Sequence, residues 1–208
     1  MQIAIDGNAA SGKGTISKFL SEYFNLNYLD TGKVYRGFAK IIIDLNIDTS
    51  SKSEIINQVN KIKDISIFNE FNGIQTEKVG NIASIVSSIP EVRNVLDTLI
   101  KDFPKNSEKG VVMDGRNIGK DILPNADFKF FIIASPEKRA ERRSKQSGES
   151  YNIVLQSITE RDKRESERSI ATLKPQDDSI IIDTSDLTIE EVKEVVLQKI
   201  NNKLIKKV

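Results

Sequence analysis

Residues 5–15 read Ile5-Asp6-Gly7-Asn8-Ala9-Ala10-Ser11-Gly12-Lys13-Gly14-Thr15. The apolar run Gln2–Ile5 in front of them reads as a strand, and Phe19, Leu20, Tyr23 and Phe24 behind them recur at helical spacing. Strand, glycine-rich loop and helix in that order form a phosphate cradle: the loop's backbone N–H groups wrap the oxygens and the helix N-terminus adds partial positive charge. Glycine is needed where backbone must approach oxygen or take positive φ. The strict Gly-x4-Gly-Lys-[Ser/Thr] spacing is missed by one residue, because Gly14 stands between Lys13 and Thr15. The strand-before, helix-after setting carries the reading: Gly7–Thr15 holds the phosphates of a nucleoside triphosphate, with the Lys13 ammonium between its β- and γ-phosphates.

Working outward, short apolar runs alternate with amphipathic stretches, the pattern of a parallel sheet covered by helices. The expected strands are Gln2–Ile5, Asn27–Leu29, Gly110–Met113, Phe128–Ala134 and Ser179–Ile182. Several are apolar at consecutive positions, as strands covered on both faces are. Ligands of such sheets bind beyond the strands' carboxyl ends. Val34, Phe38, Ile41, Ile42 and Leu45 mark a helix after Thr31, read as its N-cap. Ser51 with Glu54 and Thr188 with Glu191 fit capping boxes. Pro90 suits the first turn of a helix running to about Phe103. Asp64–Lys78, with Asn72-Gly73 inside it, reads as a small hairpin outside the sheet. Residues 46–80 and 144–151 are expected to depart from the core, and no linker or repeat divides the 208 residues.

Composition excludes several classes. Hydrophobic residues make up 38% and charged residues 29%, too apolar for a disordered chain. A formal charge of +1, from 31 Lys+Arg against 30 Asp+Glu, argues against a general nucleic-acid binder. With no cysteine and no histidine, thiolate metal sites, disulfides and His-based triads are ruled out together. The longest apolar runs, such as Phe130–Ala134, are too short to cross a bilayer, and the opening residues lack a secretory pattern. We expect a cytoplasmic protein without membrane or nucleic-acid partners.

Arginines supply the rest of the chemistry. Asp114-Gly115-Arg116-Asn117 follows the third strand, so Asp114 can hold a water on Mg²⁺ and Arg116 can neutralise a phosphoryl group. On the helix expected from about Tyr151 to Arg168, the inward stripe Tyr151, Val154, Leu155 and Ile158 continues as Arg161, Arg164, Glu165 and Arg168. Arginines where a core face belongs call for a polyanion; Glu160 and Glu165 could instead make it a salt-bridged surface. Arg139, Arg142 and Arg143 form a second group, with Glu137 and Glu141 as near partners. Arg36 and Arg93 each lie near a helix start. A loose phosphoryl-transfer transition state needs such cations and positioning, with little covalent help and no histidine base.

Taken together, the Gly7–Thr15 loop, Leu29-Asp30-Thr31-Gly32-Lys33-Val34-Tyr35-Arg36, Asn81–Ser84 with Pro90–Arg93, Asp114–Arg116 and Glu160–Arg168 resemble the bacterial cytidylate kinases, of the nucleoside monophosphate kinases. The resemblance spans nearly the whole chain. It implies an α/β P-loop kinase core with a five-stranded parallel sheet, a small nucleoside-monophosphate-binding lobe at about 31–104 and a short lid at about 139–168, in one domain of residues 1–208. It implies transfer from ATP to CMP and dCMP with Mg²⁺, by a monomer. Lys13, Arg116, Arg161 and Arg168 would be catalytic, Arg116 between donor and acceptor phosphates. Thr31 and Arg36 would hold the CMP phosphate, Ser84, Arg93 and Asn117 would face cytosine, and Arg161 and Glu165 would meet the sugar. Arg139 and Arg143 resemble lid arginines over ATP.

Three departures stand out. Position 117 is Asn where relatives carry Asp; an amide both accepts and donates, so weaker rejection of UMP is expected. Position 165 is Glu where Asp is usual, which leaves the sugar preference open. The segment around Ile65–Thr76 is shorter than the antiparallel insert of familiar members. Rival readings are the same chemistry on UMP, AMP or a small hydroxyl metabolite, and a slow nucleotide-dependent switch. Against a guanine-specific switch, Asn60-Lys61-Ile62-Lys63-Asp64 has the wrong spacing and Asp114 is followed three residues on by Asn117.

Overall fold

The computed structural model describes residues 1–168 and 170–205. All five expected strands form: β1 (Gln2–Gly7), β2 (Asn27–Asp30), β3 (Val111–Gly115), β4 (Phe128–Ile133) and β5 (Ile180–Asp183). They make one parallel sheet in the order β2-β3-β1-β4-β5. The helices are α1 (Lys13–Tyr23), α2 (Thr31–Asp44), α3 (Lys52–Val59), α4 (Glu77–Val86), α5 (Pro90–Lys105), α6 (Pro136–Ser147), α7 (Tyr151–Glu167) and α8 (Ile189–Ile205).

Strand alternation explains the layers. Ala4, Val111 and Met113 point to a face covered by α2 and α5 through Val34, Phe38, Ile42, Val92, Leu96 and Ile100. Ile3, Ile5, Val112, Phe130 and Ile132 point the other way, onto Ile16 and Leu20 of α1 and Val192, Val196 and Ile200 of α8. Both faces are therefore dry, which is why the strands read as continuous apolar runs. Helices α6 and α7 pack on each other around a small cluster of their own, Ala140, Val154 and Ile158.

Five expectations need correction. The hairpin at Asp64–Lys78 does not form. Asp64 instead caps a 3-10 turn over Ile65–Glu70 by accepting from Ser66 N at 2.9 Å, and Asn72-Gly73 leads through a turn at Ile74-Gln75 into α4, capped by Thr76. Phe68 drives this: it is buried against Gly37 of α2, where a Cβ would lie 2.3 Å from its ring, so a helical turn serves better than an alternating strand. At α2 the N-cap is Asp30, accepting from Lys33 N at 3.0 Å, and Thr31 is the first helical residue. Helix α5 passes Phe103 and ends at Lys105, since a proline in the last turn forfeits little of the ladder. Tyr151 is exposed at the start of α7, leaving Val154 and Ile158 as its buried stripe. The Thr188–Glu191 box forms reciprocally, whereas Ser51 bonds the Glu54 side chain at 2.7 Å and caps no backbone N–H.

Candidate active site

Register sets the site. β1 pairs with β3 so that Asp6 lies opposite Gly115, and β2 with β3 so that Asp30 lies opposite Asp114. All four residues stand at carboxyl ends, where the chain turns into loop or helix. Gly7 must be glycine because β4 passes so closely that a Cβ would sit 1.9 Å from the Ile132 carbonyl oxygen. Beyond it Ala10 (φ 60°) and Gly12 (φ 94°) take left-handed backbone, curling the loop into α1. The Lys13 ammonium folds back to donate to the Asn8 carbonyl at 2.6 Å. The buried Asp6 carboxylate, pushed up by its burial, accepts from Ile118 N and Gly119 N, each at 2.8 Å.

These elements bound a cleft of about 520 Å³, whose lining includes Ala9–Thr15, Thr31, Arg36, Asp114, Arg116, Arg161, Glu165 and Arg168. Its middle is a cage of cations. Arg116 Nε donates to Glu165 Oε2 at 2.5 Å and Arg161 Nε to Oε1 at 2.8 Å. Against the upward push of burial, these two guanidiniums hold the Glu165 carboxyl well below the usual range. Burial, aided by Arg116, brings the Lys13 ammonium down to about 7. Burial and then Arg93 bring Arg168 down to about 10. On the wall, Arg36 Nε and Arg168 Nη2 are buried with no hydrogen-bond partner among the described residues; Arg164 Nη1 is likewise orphaned but lies off the wall. The wall carries four carboxylates, Asp30, Glu77, Asp114 and Glu165, against eight basic side chains, and orphaned donors in a low-dielectric cleft call for an anion.

Beside the cage, Asp114 is buried, accepts from Tyr28 Oη at 2.9 Å, and is raised to about 6 by burial and by Asp30. Thr31 Oγ1 donates to the Asp114 carbonyl at 2.7 Å, and Arg36 pairs with Asp30 at 3.0 Å. No group of three or more His, Cys, Asp or Glu suited to a metal occurs among the described residues.

The two ends of the cleft differ. At one end Tyr35 Oη donates to Asp97 Oδ1 at 2.7 Å, and Arg93 lies 5.2 Å over the Tyr35 ring while pairing with Asp97 at 3.3 Å. Ser84 and Asn117 complete this end, and Ser84 Oγ is buried without a partner among the described residues. At the other end the wall is Thr184, Leu187, Thr188, Ile189 and Val192, with Arg142 pinned to the Thr184 hydroxyl at 3.0 Å.

The structure thus gathers most of the sequence-predicted residues around one cavity. Gly7, Asn8 and Arg139 are not on its wall. Arg139 is only 2% exposed, and its guanidinium is tied to Asp162, to the Ala9 carbonyl at 3.3 Å and to the Ala134 carbonyl at 2.8 Å. Arg143 reaches the wall but pairs with Glu77 at 2.5 Å and bonds the Gln75 carbonyl. Sequence reading missed Asp97, Asp162, Glu77 and the 184–192 wall. Asp97 alone carried a signal, its i,i+4 spacing from Arg93.

The family model described as cytidylate kinase matches residues 3–202. The chain is 39% identical over 217 residues to a cytidylate kinase of Aquifex aeolicus, covering 98% of this chain and 97% of that one. It is 42% identical over 207 residues to a cytidylate kinase of Rickettsia rickettsii, covering 97% and 92%. A shikimate kinase of Bacteroides thetaiotaomicron superposes with a TM-score of 0.51 over 98% of both chains at 11% identity, a likeness of fold alone.

Proposed function

This chain belongs to the cytidylate kinase family, and from that premise we propose that it transfers the γ-phosphoryl group of ATP to CMP and dCMP, releasing ADP with CDP or dCDP. The observation that carries the reading is the cage between two unlike ends: orphaned arginine donors and a loop of backbone N–H groups, with a polar pocket on one side and an apolar wall on the other. Two nucleotides meeting phosphate to phosphate fit that layout.

We assign Ala9–Thr15 to the donor phosphates, the 184–192 wall with Arg142 to the donor base, and Thr31 with Arg36 to the acceptor phosphate. Arg116, Arg161 and Arg168 lie between, and with Lys13 they offset charge on the transferring group. An oxygen of the acceptor phosphate attacks the γ-phosphorus as its bond to the β-bridging oxygen breaks, and ADP departs with that electron pair. The acceptor is already an anion, so no protein base is needed. Glu165 keeps Arg116 and Arg161 aimed into the cleft; Ser84, Arg93 and Asn117 face the acceptor base. Residues 31–104 act as the acceptor lobe and 139–168 as the lid. Arg143 turns to ATP once released from Glu77, while Arg139 ties the lid helices to the loop.

Mg²⁺ suits the oxygens present. A buried carboxylate raised to about 6 gains from a nearby cation, and Asp114 with the Thr15 hydroxyl is the sparse protein donation usual where phosphates and water complete the shell. Bound there, the ion would neutralise phosphate charge and orient the oxygens. A kinase of free nucleotides acts where they are held, so we place it in the cytoplasm as a monomer.

The test is ADP release from MgATP with CMP, dCMP, UMP, AMP and dTMP in parallel. CMP and dCMP well ahead of the others is the expected result. Should no monophosphate accelerate ADP release, the kinase reading fails.

A further inference from the structure

Asn117 stands at the polar end of the cleft, 5% exposed, beside the unpartnered hydroxyl of Ser84 and the Arg93 guanidinium. A side-chain amide offers two N–H donors and one carbonyl acceptor, and which of them faces a ligand depends on its surroundings. Here the surroundings are two carboxylates. Asn117 Nδ2 donates to Asp121 Oδ2 at 3.0 Å and to Asp97 Oδ2 at 3.3 Å. Carboxylates only accept, so turning the amide over would replace two charge-assisted hydrogen bonds with two contacts between lone pairs. Both N–H groups are engaged, and Oδ1 bonds nothing among the described residues.

We propose that Asp97 and Asp121 lock the Asn117 amide with its carbonyl oxygen toward the acceptor base, so that the pocket selects an amino-substituted pyrimidine over its oxo counterpart. The proposal rests on the kinase reading above and names what sets its base specificity. An exocyclic amine donates to Oδ1; an exocyclic carbonyl in the same place sets lone pair against lone pair. Ser84 cannot discriminate, because a hydroxyl rotates to donate or accept, and the Arg93 guanidinium is engaged by Asp97 and the Ser87 carbonyl. The choice falls on Asn117, oriented by two positioning residues, neither of which was a candidate from sequence. The proposal runs opposite to the expectation that Asn117 relaxes the pocket toward UMP. Locked in this way, an amide presents the same kind of oxygen that a carboxylate would.

The experiment measures kcat/KM for CMP and UMP in the native protein, in Asn117→Asp and in Asp121→Leu. Native protein should favour CMP by about a hundredfold or more, because the wrong base leaves buried polar groups unpaired. Asn117→Asp should give no gain in the CMP/UMP ratio. Asp121→Leu removes the shorter of the two bonds that hold the amide, and its UMP kcat/KM should rise about tenfold while that for CMP falls less, a gain that general damage to the fold does not produce. Native protein that takes UMP as well as CMP, a ratio raised tenfold by Asn117→Asp, or a ratio unmoved in Asp121→Leu would each overturn the proposal. Amide NMR of the free protein decides the orientation without catalysis. The Asn side-chain pair that disappears in Asn117→Asp should have both protons shifted downfield and slow to exchange; a pair exchanging at solvent rates refutes the lock. If no monophosphate supports turnover, the kinase reading has failed and the NMR result still judges the geometry.

Discussion

Lys13 has a pKa of about 7 in the free protein against 10.5 in the unfolded chain, because it is buried beside Arg116. Phosphate oxygens would restore the charged form, so ATP binding above pH 7 should draw in a proton. Calorimetry at pH 8 in two buffers of unlike ionisation enthalpy should show uptake approaching one proton, absent in Lys13→Met; no uptake by the native protein would contradict this. Stability follows the same linkage with the opposite benefit. The unfolded chain keeps the proton up to about 10.5 and the folded one only to about 7, so the folded state bears the full penalty below pH 7 and sheds it as pH rises between those values. Lys13→Met should accordingly raise Tm more at pH 6 than at pH 9, while kcat falls about a hundredfold or more.

Helices α6 and α7 share only a small apolar cluster, and polar bonds fasten them to the rest. Two fastenings matter. Arg143 pairs with Glu77 at the start of α4, and Glu77 also accepts from Ser157 of α7 at 3.0 Å. On the proposed reading Glu77 competes with ATP for that guanidinium, so Glu77→Gln should tighten ATP binding about threefold to tenfold, read by equilibrium titration. The second fastening is Arg139 on Asp162, which also accepts from the Asn8 side chain at 3.2 Å. Removing its charge in Asp162→Asn leaves Arg139 buried without a full partner and should cost about 3 kcal/mol in denaturant unfolding. A cost under a few tenths would show the pair to be inert. Such bonds mark the limit of what spacing reveals. The five strands were legible because both sheet faces are dry and their apolar runs continuous. The hairpin was misread because Asn72-Gly73 carries a turn signal whether strands or helices flank it, and nothing local tells that Phe68 fills the space left by Gly37. The loop and the arginine helix declared themselves, but i, i+3, i+4 spacing cannot say that Arg139 turns inward to a carboxylate. The 184–192 wall is ordinary strand-to-helix sequence, brought to the cleft only by the strand order that sets it beside the loop.

At the scale of the molecule, 31 basic and 30 acidic residues nearly cancel, yet eight of the basic side chains converge on one cleft. Their mutual repulsion works against the fold until an anion arrives. Pyrophosphate, which carries no base to contact either end, should therefore raise Tm by about 5 °C at saturating concentration, given the usual conversion of binding energy into stability. A shift equally large in Arg168→Met would place the effect elsewhere. One further consequence belongs to Asp6. It lies on the strand that launches the phosphate loop, yet both its oxygens grip the backbone just past Arg116. The span between the glycine-rich loop and Arg116 is thus gauged by the sheet before any substrate enters. Exchanging pocket residues can change which base is chosen, but an acceptor of different reach would need β1 and β3 paired in a different register.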